Sequence, residues 1–354
     1  MAIETQQLMR KLDARATEND GEAELRIAVV VPCYRERAHI LDVLASIPAT
    51  VADIVCVDDG CPDRTGSLVE EKSEDPRVTV LFSERNEGVG GATKRGFIAA
   101  LKAGADIVVK LDGDGQMDPD LIASLIAPIA DGHADYAKGN RFFSLENIST
   151  MPRYRIVGNV AMSFVSKFSS GYWNVFDPAN GFIAIHASPL RLLPLDKISD
   201  DYFFESDMLF RLNTLRAVVI DVPMHAQYGE EQSHLDLVGS LPVFIAKHMG
   251  NFVKRIFYSY FLRNFSVASI QWILGPLLFF FGIVFGTYQW TAAESAGVSA
   301  TAGTVMLAAL PIIIGLQFIL AAIDFDVRSV PTVPLHRLLS EHLLDDHPSS
   351  TQID

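Results

Sequence analysis

The first part of the chain alternates short, continuously apolar runs with stretches in which apolar residues recur every three or four positions. The runs predict buried β-strands, and the stretches between them predict helices. This alternation is typical of an α/β domain whose mostly parallel sheet is covered by helices on both faces. Strands are predicted at 26–32, 53–59, 77–82, 106–112 and 134–142, and helices between them at 36–47 and 90–104.

The next segment, 143–230, is less regular and is interpreted as the second half of the same domain. It contains two helix-like stretches and two short apolar runs. Helices are predicted at 155–168 and 203–212, and strands at 181–186 and 217–223.

The pattern changes near residue 241, where basic and aromatic residues dominate and acids are absent up to 265. Such a composition predicts an amphipathic helix that lies in a membrane interface. Two stretches with almost no charge follow, 266–290 and 295–323. Each is longer than the ~20 residues that cross a bilayer, so two transmembrane helices are predicted.

Basic residues around these helices predict their orientation. Four of them precede the first span, namely Lys247, Lys254, Arg255 and Arg263, and the linker between the spans has no Lys or Arg. The positive-inside rule then predicts an integral protein of the inner or plasma membrane, with the large domain and the C-terminus in the cytoplasm. The predicted organisation is a flexible or helical lead (1–24), the α/β domain (25–238), amphipathic interface helices (239–265), two transmembrane helices (266–323) and a cytoplasmic tail (324–354).

Composition excludes several other classes of protein. The net charge of −14 argues against a nucleic-acid surface, which needs a basic face. The three cysteines have no paired spacing, which argues against a zinc site or a disulfide framework. The first 24 residues are polar and lack the apolar core of a secretory signal.

Polar clusters follow each of the first five predicted strands. Ligands of parallel sheets bind outside the carboxyl ends of the strands, so these clusters predict one ligand-binding edge. They read PCYRER, DDGCPDRT, SERNEG, DGDGQ and NRF.

The densest of these clusters is the acidic loop after the fourth strand, with Asp112, Asp114 and Gln116 at alternate positions. A calcium-binding EF-hand loop needs glycine and glutamate where Met117 and Ala123 stand, so that type of site is excluded. Two interpretations remain open. The loop is either a solvated turn or a site where Mg²⁺ or Mn²⁺ grips a diphosphate, since hard divalent ions prefer such oxygen ligands.

Two acids, Asp58 and Asp59, end the second predicted strand. A buried carboxylate there needs hydrogen-bond donors, which a nucleobase N–H or ribose hydroxyls can supply. A turn built on the Asp-Gly pair explains the same residues without a ligand. Tyr34 and Glu36 follow the first strand, where they can stack on and hydrogen-bond the same nucleoside.

Five motifs in this order and spacing resemble the family-2 glycosyltransferases of the GT-A fold: VVVPCYRE, VDDGCPDRT, NEGVGGA, LDGDGQMDP and GNRF. Three later motifs, FDPANGFIAI, YFFESDMLFRL and YGEEQSHL, precede or flank the basic aromatic helix and the two spans. Together they resemble the polyisoprenyl-phosphate glycosyltransferases, a group that includes dolichyl-phosphate mannose synthase and bacterial undecaprenyl-phosphate glucosyltransferases. The resemblance covers about residues 25–335.

This resemblance implies a GT-A nucleotide-diphospho-sugar transferase fold, followed by an interface helix and two transmembrane helices. It implies metal-dependent, inverting transfer of one hexose from a nucleotide sugar to a polyprenyl monophosphate at the cytoplasmic membrane face. UDP-glucose is the favoured donor and GDP-mannose the next. Mg²⁺ or Mn²⁺ is the implied cofactor, and relatives with two spans make a homo-oligomer an expectation.

The resemblance also implies roles on the donor side of the site. Pro32, Tyr34, Glu36 and Asp59 match positions that hold the nucleoside. The metal and diphosphate positions of the DxDxQ motif are matched by Asp112, Asp114 and Gln116, and a phosphate-facing arginine by Arg141.

On the sugar and acceptor side the implied residues are more scattered. Asp177 lies in the motif that lines the sugar, and Glu205 and Asp207 are expected to face the same cavity unless they are surface acids of a helix. Ser233 lies in a loop that commonly reads GxSK in relatives, but His234 replaces the lysine here. The expected contacts of the lipid phosphate are Arg153, Arg155, Lys247 and Arg255, and for the last two headgroup anchoring is an equal alternative.

Two other functions are weighed against this transferase. A processive polysaccharide synthase shares the domain, but its usual QxxRW motif is missing and Gln271-Trp272 lies inside a predicted span. A non-catalytic membrane scaffold that only binds nucleotide is the other alternative, and the intact DxDxQ motif argues against it.

Overall fold

The structure is a computed structural model that describes residues 25–143, 153–224 and 237–345, with side chains described except at 153–155, 237–240 and 341–345. Its centre is a seven-stranded sheet of order β3-β2-β1-β4-β6-β5-β7. Of the described strands, only β6 runs antiparallel to its neighbours, so the predicted mostly parallel sheet is confirmed. The strands are β1 (Ile27–Cys33), β2 (Asp53–Asp58), β3 (Val78–Phe82), β4 (Ile107–Lys110), β5 (Tyr136–Asn140), β6 (Ile183–His186) and β7 (Val219–Pro223).

Helices cover both faces of this sheet, as predicted. Val29 and Val31 point to one apolar core and Val30 to the other, because successive side chains of a strand alternate between faces. The catalytic-domain helices are α1 (Ile40–Ser46), α2 (Thr65–Lys72), α3 (Val89–Lys102), α4 (Ile122–Ala130), α5 (Arg153–Ser170), α6 (Ala187–Leu192) and α7 (Phe204–Leu215).

The reversed strand β6 was not predicted as antiparallel, and its direction matters for the site. Ile183, the first residue of β6, pairs with Lys110, the last residue of β4. The chain that enters β6 therefore lies at the carboxyl ends of the parallel strands. This brings residues 177–181 to the predicted ligand edge.

The C-terminal part forms α8 (Leu237–Phe257), a π-helical turn (Tyr258–Arg263), α9 (Val267–Ser295), α10 (Ala302–Arg328) and α11 (Leu335–Asp345). Helices α9 and α10 are long and apolar enough to cross a membrane, and most of each apolar window is exposed, with 22% and 11% buried. They pack closely at small residues, since a methyl group on Gly315 would lie 2.5 Å from the Phe279 nitrogen. Both begin later than the sequence predicts.

The amphipathic character of α5 and α8 is inverted with respect to a helix of a water-soluble protein. Their buried faces carry Ser163, Ser169, His248 and Asn251, and a 2.7 Å contact joins Ser169 Oγ to His248 Nδ1 across the pair. Apart from Lys254 on α8, the described exposed residues of both helices are apolar. On α5 the large exposed apolar residues are Val157, Val160 and Phe164. On α8 a row of them, here called the apolar ridge, consists of Leu241, Ile245, Met249, Val253 and Phe257. Large exposed apolar patches mark membrane or partner contacts, which agrees with the predicted interface helix.

A buried ion pair fastens α8 to the end of α10. The two guanidinium nitrogens of Arg255 donate to Asp326 at 2.6 and 2.9 Å, and Tyr260 Oη and Trp173 Nε1 donate to the same carboxylate at 2.7 and 2.8 Å. Arg255 is 2% exposed and also donates to the Phe168 carbonyl. The expectation that Arg255 receives a lipid phosphate is therefore wrong, because its charge is already paired inside the protein.

Helix α11, which the sequence did not predict, returns to the catalytic domain. The buried Asp135 carboxylate accepts hydrogen bonds from the backbone nitrogens of Leu335 and His336 at 2.7 and 2.9 Å. The His336 ring stacks on His186 with centroids 4.4 Å apart. These contacts tie the segment after the second apolar helix to the edge of the sheet opposite the ligand edge.

Candidate active site

The acidic loop leaves β4 at the ligand edge, and both of its predicted metal-binding carboxylates are half-buried. The backbone nitrogen of Gln116 donates to Asp114 Oδ1 at 2.9 Å, which folds the loop back on itself. Among the described residues no group of three His, Cys, Asp or Glu side chains is arranged to hold a metal ion. The donor set still fits Mg²⁺ or Mn²⁺, because such ions are commonly held by one or two carboxylates together with substrate phosphates.

The predicted nucleoside residues lie next to this loop. The Asp59 nitrogen donates to the Cys33 carbonyl at 3.1 Å, so Asp59 and Tyr34 are neighbours at the ends of β2 and β1. A methyl group on Gly113 would lie 3.4 Å from Cγ of Glu36, so the Glu36 side chain borders the acidic loop. Pro32 is buried near the end of β1, opposite Val57.

The Asp59 carboxylate already has a structural partner. Its two oxygens accept from the backbone nitrogens of Glu87 and Gly88, both at 2.8 Å. Burial raises the pKa of Asp59, although these two donors oppose the shift. Each carboxylate oxygen keeps a second lone pair, so the predicted nucleoside contact remains chemically open to it.

Lys110, the last residue of β4, was missed by the sequence analysis. Its buried ammonium donates to Asp112 Oδ1 at 2.6 Å, to Glu205 Oε1 at 3.3 Å and to the Gly181 carbonyl at 3.3 Å. Burial alone lowers the pKa of Lys110, but the two carboxylates outweigh it and raise the pKa above the usual value. A lysine at the end of an otherwise apolar strand was the available signal. Lys110 joins the acidic loop to α7.

Gly181 permits this close approach. A Cβ atom at that position would lie 2.5 Å from Lys110 Nζ and 2.7 Å from Asp112 Oδ2, closer than real Cβ contacts. A side chain at this position would displace the Lys110 ammonium or the Asp112 carboxylate, so the glycine of the sugar-side motif leaves room for their ion pair.

We expect Lys110→Met to lower the free energy of unfolding by about 3 kcal/mol near pH ~7, because it leaves a buried carboxylate without its cation. Burial already raises the pKa of Glu205, so this carboxyl binds a proton more tightly when folded than when unfolded. Stability of the variant should therefore fall as pH rises above the unfolded value and recover toward pH ~5. Denaturant unfolding in detergent at both pH values measures the difference.

The double variant Lys110→Met/Glu205→Gln is the matched control. With no carboxylate at position 205, the pH-dependent part of the loss should disappear. A Lys110→Met protein as stable as the wild type near neutral pH contradicts the assignment of Lys110 as the charge partner of Glu205.

Arg141, expected to face a phosphate, and Asp177, expected to line the sugar, lie against each other. Arg141 Nε and Nη2 donate to the two Asp177 oxygens at 2.7 Å each, and Asn180 Nδ2 adds a third donor at 3.2 Å. Burial of Asp177 opposes its ionisation, but the guanidinium more than compensates and lowers the pKa below the usual range. Because Asp177 is 1% exposed, its carboxylate orients Arg141, whose guanidinium is the more exposed partner.

A second buried lysine holds the segment that carries Asp177. Lys138 of β5 donates to the Phe176 carbonyl at 2.7 Å, and Asp221 of β7 accepts from the Phe176 nitrogen at 2.7 Å. Asp177 itself has φ +52°, a left-handed conformation that Asp tolerates better than most residues. Lys138 and Asp221 were also missed, although Asp221 interrupts the otherwise apolar strand β7.

Glu205 and Asp207 do not face one cavity, so that expectation is wrong. Residues two apart on a helix point about 200° away from each other. Glu205 contacts Lys110, whereas Asp207 accepts from Asn251 Nδ2 at 2.9 Å, Arg211 Nε at 3.2 Å and the Ser199 nitrogen at 3.1 Å. The contacts of Asp207 connect α7 to α8 rather than to the acidic loop.

The structure does not describe the side chains of four residues that the sequence places on the acceptor side. Arg153 and Arg155 belong to the first turn of α5, but their side chains are not described. Ser233 and His234 lie outside the described residues. Lys247 is half-exposed and pairs with Asp201 at 2.6 Å, which leaves it close to the surface.

Comparison with known proteins matches residues 28–193 to the family described as glycosyl transferase family 2. The chain is 32% identical over 222 residues to UDP-N-acetylglucosamine–dolichyl-phosphate N-acetylglucosaminyltransferase of Methanococcus voltae, which covers 59% of this chain and 88% of the relative. It is 30% identical over 230 residues to undecaprenyl-phosphate mannosyltransferase of Micrococcus luteus, with coverage of 63% and 93%.

Among solved structures, the fold is similar to that of glucosyl-3-phosphoglycerate synthase from Mycobacterium tuberculosis in complex with UDP. The TM-score is 0.51 at 20% identity, over 66% of this chain and 81% of that chain. The same enzyme in complex with Mn²⁺, UDP and glucosyl-3-phosphoglycerate gives a TM-score of 0.50. This likeness and the family match confirm the predicted GT-A fold.

Proposed function

Because the chain belongs to glycosyltransferase family 2, we propose that it transfers one hexose, with inversion, from a nucleotide sugar to a polyprenyl monophosphate. The names of the Methanococcus and Micrococcus relatives support a lipid phosphate acceptor. The observation that carries this acceptor is the outward apolar ridge of α8. Helix α8 contacts α7, and α7 brings Glu205 to Lys110 beside the acidic loop.

The chemistry of this acceptor needs no strong base. A phosphate monoester has its second pKa near ~6, so at neutral pH it already carries an attacking oxyanion. Catalysis then depends on positioning and on stabilising the leaving diphosphate. The two hydrogen bonds to Asp177 hold the Arg141 guanidinium at the ligand edge. There its positive charge is suited to bind a phosphate.

Asp112, Asp114 and Gln116 are the residues that would hold Mg²⁺ or Mn²⁺. When bound, such an ion neutralises charge on a leaving diphosphate. Two half-buried carboxylates, one of them already paired with Lys110, make an incomplete binding site by themselves. The substrate diphosphate must supply further oxygen ligands.

We therefore expect Mn²⁺ to bind roughly tenfold or more tightly in the presence of UDP or GDP than in its absence, because the diphosphate completes the oxygen donors. Titration of the full-length protein with Mn²⁺, followed by electron paramagnetic resonance, measures free ion directly. The titration is corrected for Mn²⁺ bound by the nucleotide alone. Equal affinities with and without nucleotide would contradict the shared site.

The catalytic domain and the segment after α10 are proposed to lie on the same, cytoplasmic side of the membrane. The contact between α11 and Asp135 supports their common side, and the basic residues before α9 support the cytoplasmic assignment. We also propose that the protein resides in the inner or plasma membrane and that it forms a homo-oligomer.

The transferase assay uses the full-length protein in lipid nanodiscs with undecaprenyl phosphate and Mg²⁺ or Mn²⁺. UDP-glucose and GDP-mannose are the first donors, and the name of the Methanococcus relative adds UDP-N-acetylglucosamine. We expect one donor to give a lipid bearing one sugar, detected by mass spectrometry. Undecaprenol without phosphate should give none. Polymer made without lipid phosphate would support the synthase alternative, and nucleotide binding without turnover the scaffold.

A further inference from the structure

A basic groove of about 650 Å³ lies between α7 and α8, outside the site described above. Its lining includes four cations, Lys197, Arg211, Lys247 and Lys254, and one carboxylate, Asp207. The whole chain carries a net charge of −14, so this groove is a positively charged region on a protein that is acidic overall.

The groove is separated from the acidic loop by the body of α7. Asp207 lines the groove, whereas Glu205 points about 200° away from it and contacts Lys110. A ligand held beside Asp207 therefore lies on the other side of the helix from Asp112. The groove is a second site and not an extension of the sugar-transfer site.

Two of the four cations are available for a ligand. Lys197 and Lys254 are exposed, and within the described part of the chain neither ammonium has an ion-pair partner. The other two are engaged: Arg211 pairs with Asp207 at 3.2 Å and Lys247 with Asp201 at 2.6 Å. Asp207, the one carboxylate that the described residues place in the lining, already accepts three hydrogen bonds, so it opposes an anion less than an unpaired acid would.

Apart from Ser199 and Asn251, the remainder of the lining is apolar, and it continues toward the membrane-facing side of α8. Pro242, Val243 and Ala246 contribute to the groove, and Val243 is 56% exposed. We propose that the groove binds the phosphate headgroup of an anionic membrane phospholipid, with its acyl chains along Val243 and the apolar ridge. Lys197 and Lys254 contact the phosphate. Basic groups close to a membrane attract anionic headgroups in this way.

A lipid in this position joins α7 to the interface helix. It contacts Lys197 before α7 and Lys254 on α8, so its binding stabilises the α7–α8 contact at the depth of the headgroups. The polyprenyl phosphate acceptor is a different molecule at a different site.

The test uses the full-length protein in mild detergent, with phosphatidylglycerol or phosphatidylcholine added and bound lipid counted by native mass spectrometry. We expect preferential binding of phosphatidylglycerol. The variant Lys197→Gln/Lys254→Gln should weaken it about 25-fold, a factor of about 5 for each lysine. The variant Lys197→Arg/Lys254→Arg keeps the charge and should retain the lipid.

The matched control Lys72→Gln/Lys102→Gln removes the same charge from exposed positions on α2 and α3. Its affinity for phosphatidylglycerol should equal that of the wild type. The proposal is overturned by equal binding of the two lipids, by unchanged affinity in Lys197→Gln/Lys254→Gln, or by an equal loss in the control. Displacement of the lipid by millimolar inorganic phosphate overturns the lipid assignment. The readout does not depend on sugar transfer.

Discussion

Asp114→Asn is expected to slow sugar transfer about a thousandfold, the effect of losing several kcal/mol of charge stabilisation from a divalent ion. Asparagine keeps an oxygen that can accept from the Gln116 nitrogen, so the loop should stay folded. The loss should therefore appear in kcat and in Mn²⁺ affinity, with unchanged thermal stability. Initial rates at saturating donor, with Mn²⁺ titrated, measure both quantities.

Asp118→Asn is the matched control in the same loop. Asp118 caps the turn that follows, accepting from the Asp120 nitrogen at 3.0 Å, with Pro119 as the first residue of the turn. Asparagine caps nearly as well as aspartate, so the rate should change less than about threefold. Equal losses in the two variants, or an Asp114→Asn enzyme with the wild-type rate, would show that the metal assignment is wrong.

Asp326→Leu is expected to lower stability by about 3–5 kcal/mol, because it leaves the buried Arg255 guanidinium without its counter-charge. Tyr260 and Trp173 lose their acceptor in the same step. Thermal unfolding in detergent measures the loss.

Two controls separate this pair from general damage to α10. Asp324→Leu removes an exposed carboxylate that pairs with the exposed Arg328, and such surface pairs contribute about 0–1 kcal/mol. Arg255→Met/Asp326→Leu replaces both charges by apolar groups and should recover most of the lost stability. A double variant as unstable as the single one refutes the pairing argument.

The strands could be predicted because burial on both faces of a sheet leaves a continuous apolar run in the sequence. The direction of β6 could not, since an apolar run is the same in parallel and antiparallel pairing. Arg255 was assigned to the lipid because composition alone does not tell which face of an amphipathic helix is buried. In α8 the polar face is inside.

Other features that were not predicted could have been inferred from the sequence. The separation of Glu205 from Asp207 follows from helical periodicity alone. Lys110 and Lys138 each stand in a strand that is otherwise buried, where a lysine needs an acidic or carbonyl partner. The identity of those partners, Glu205 and Phe176, depends on contacts distant in sequence and required the folded structure.

The apolar hairpin is fastened to the catalytic domain at more than one point, and this has a mechanical consequence. Arg255 holds the end of α10, Arg216 donates to the Ser329 carbonyl at 2.6 Å, and Asp135 holds the start of α11. A domain joined to an apolar hairpin by a single linker can rotate, whereas a domain that contacts it at several points keeps a fixed height and tilt relative to the hairpin. In the proposed membrane arrangement the catalytic domain therefore keeps a fixed position relative to α9 and α10, and the lipid acceptor has to move to reach it.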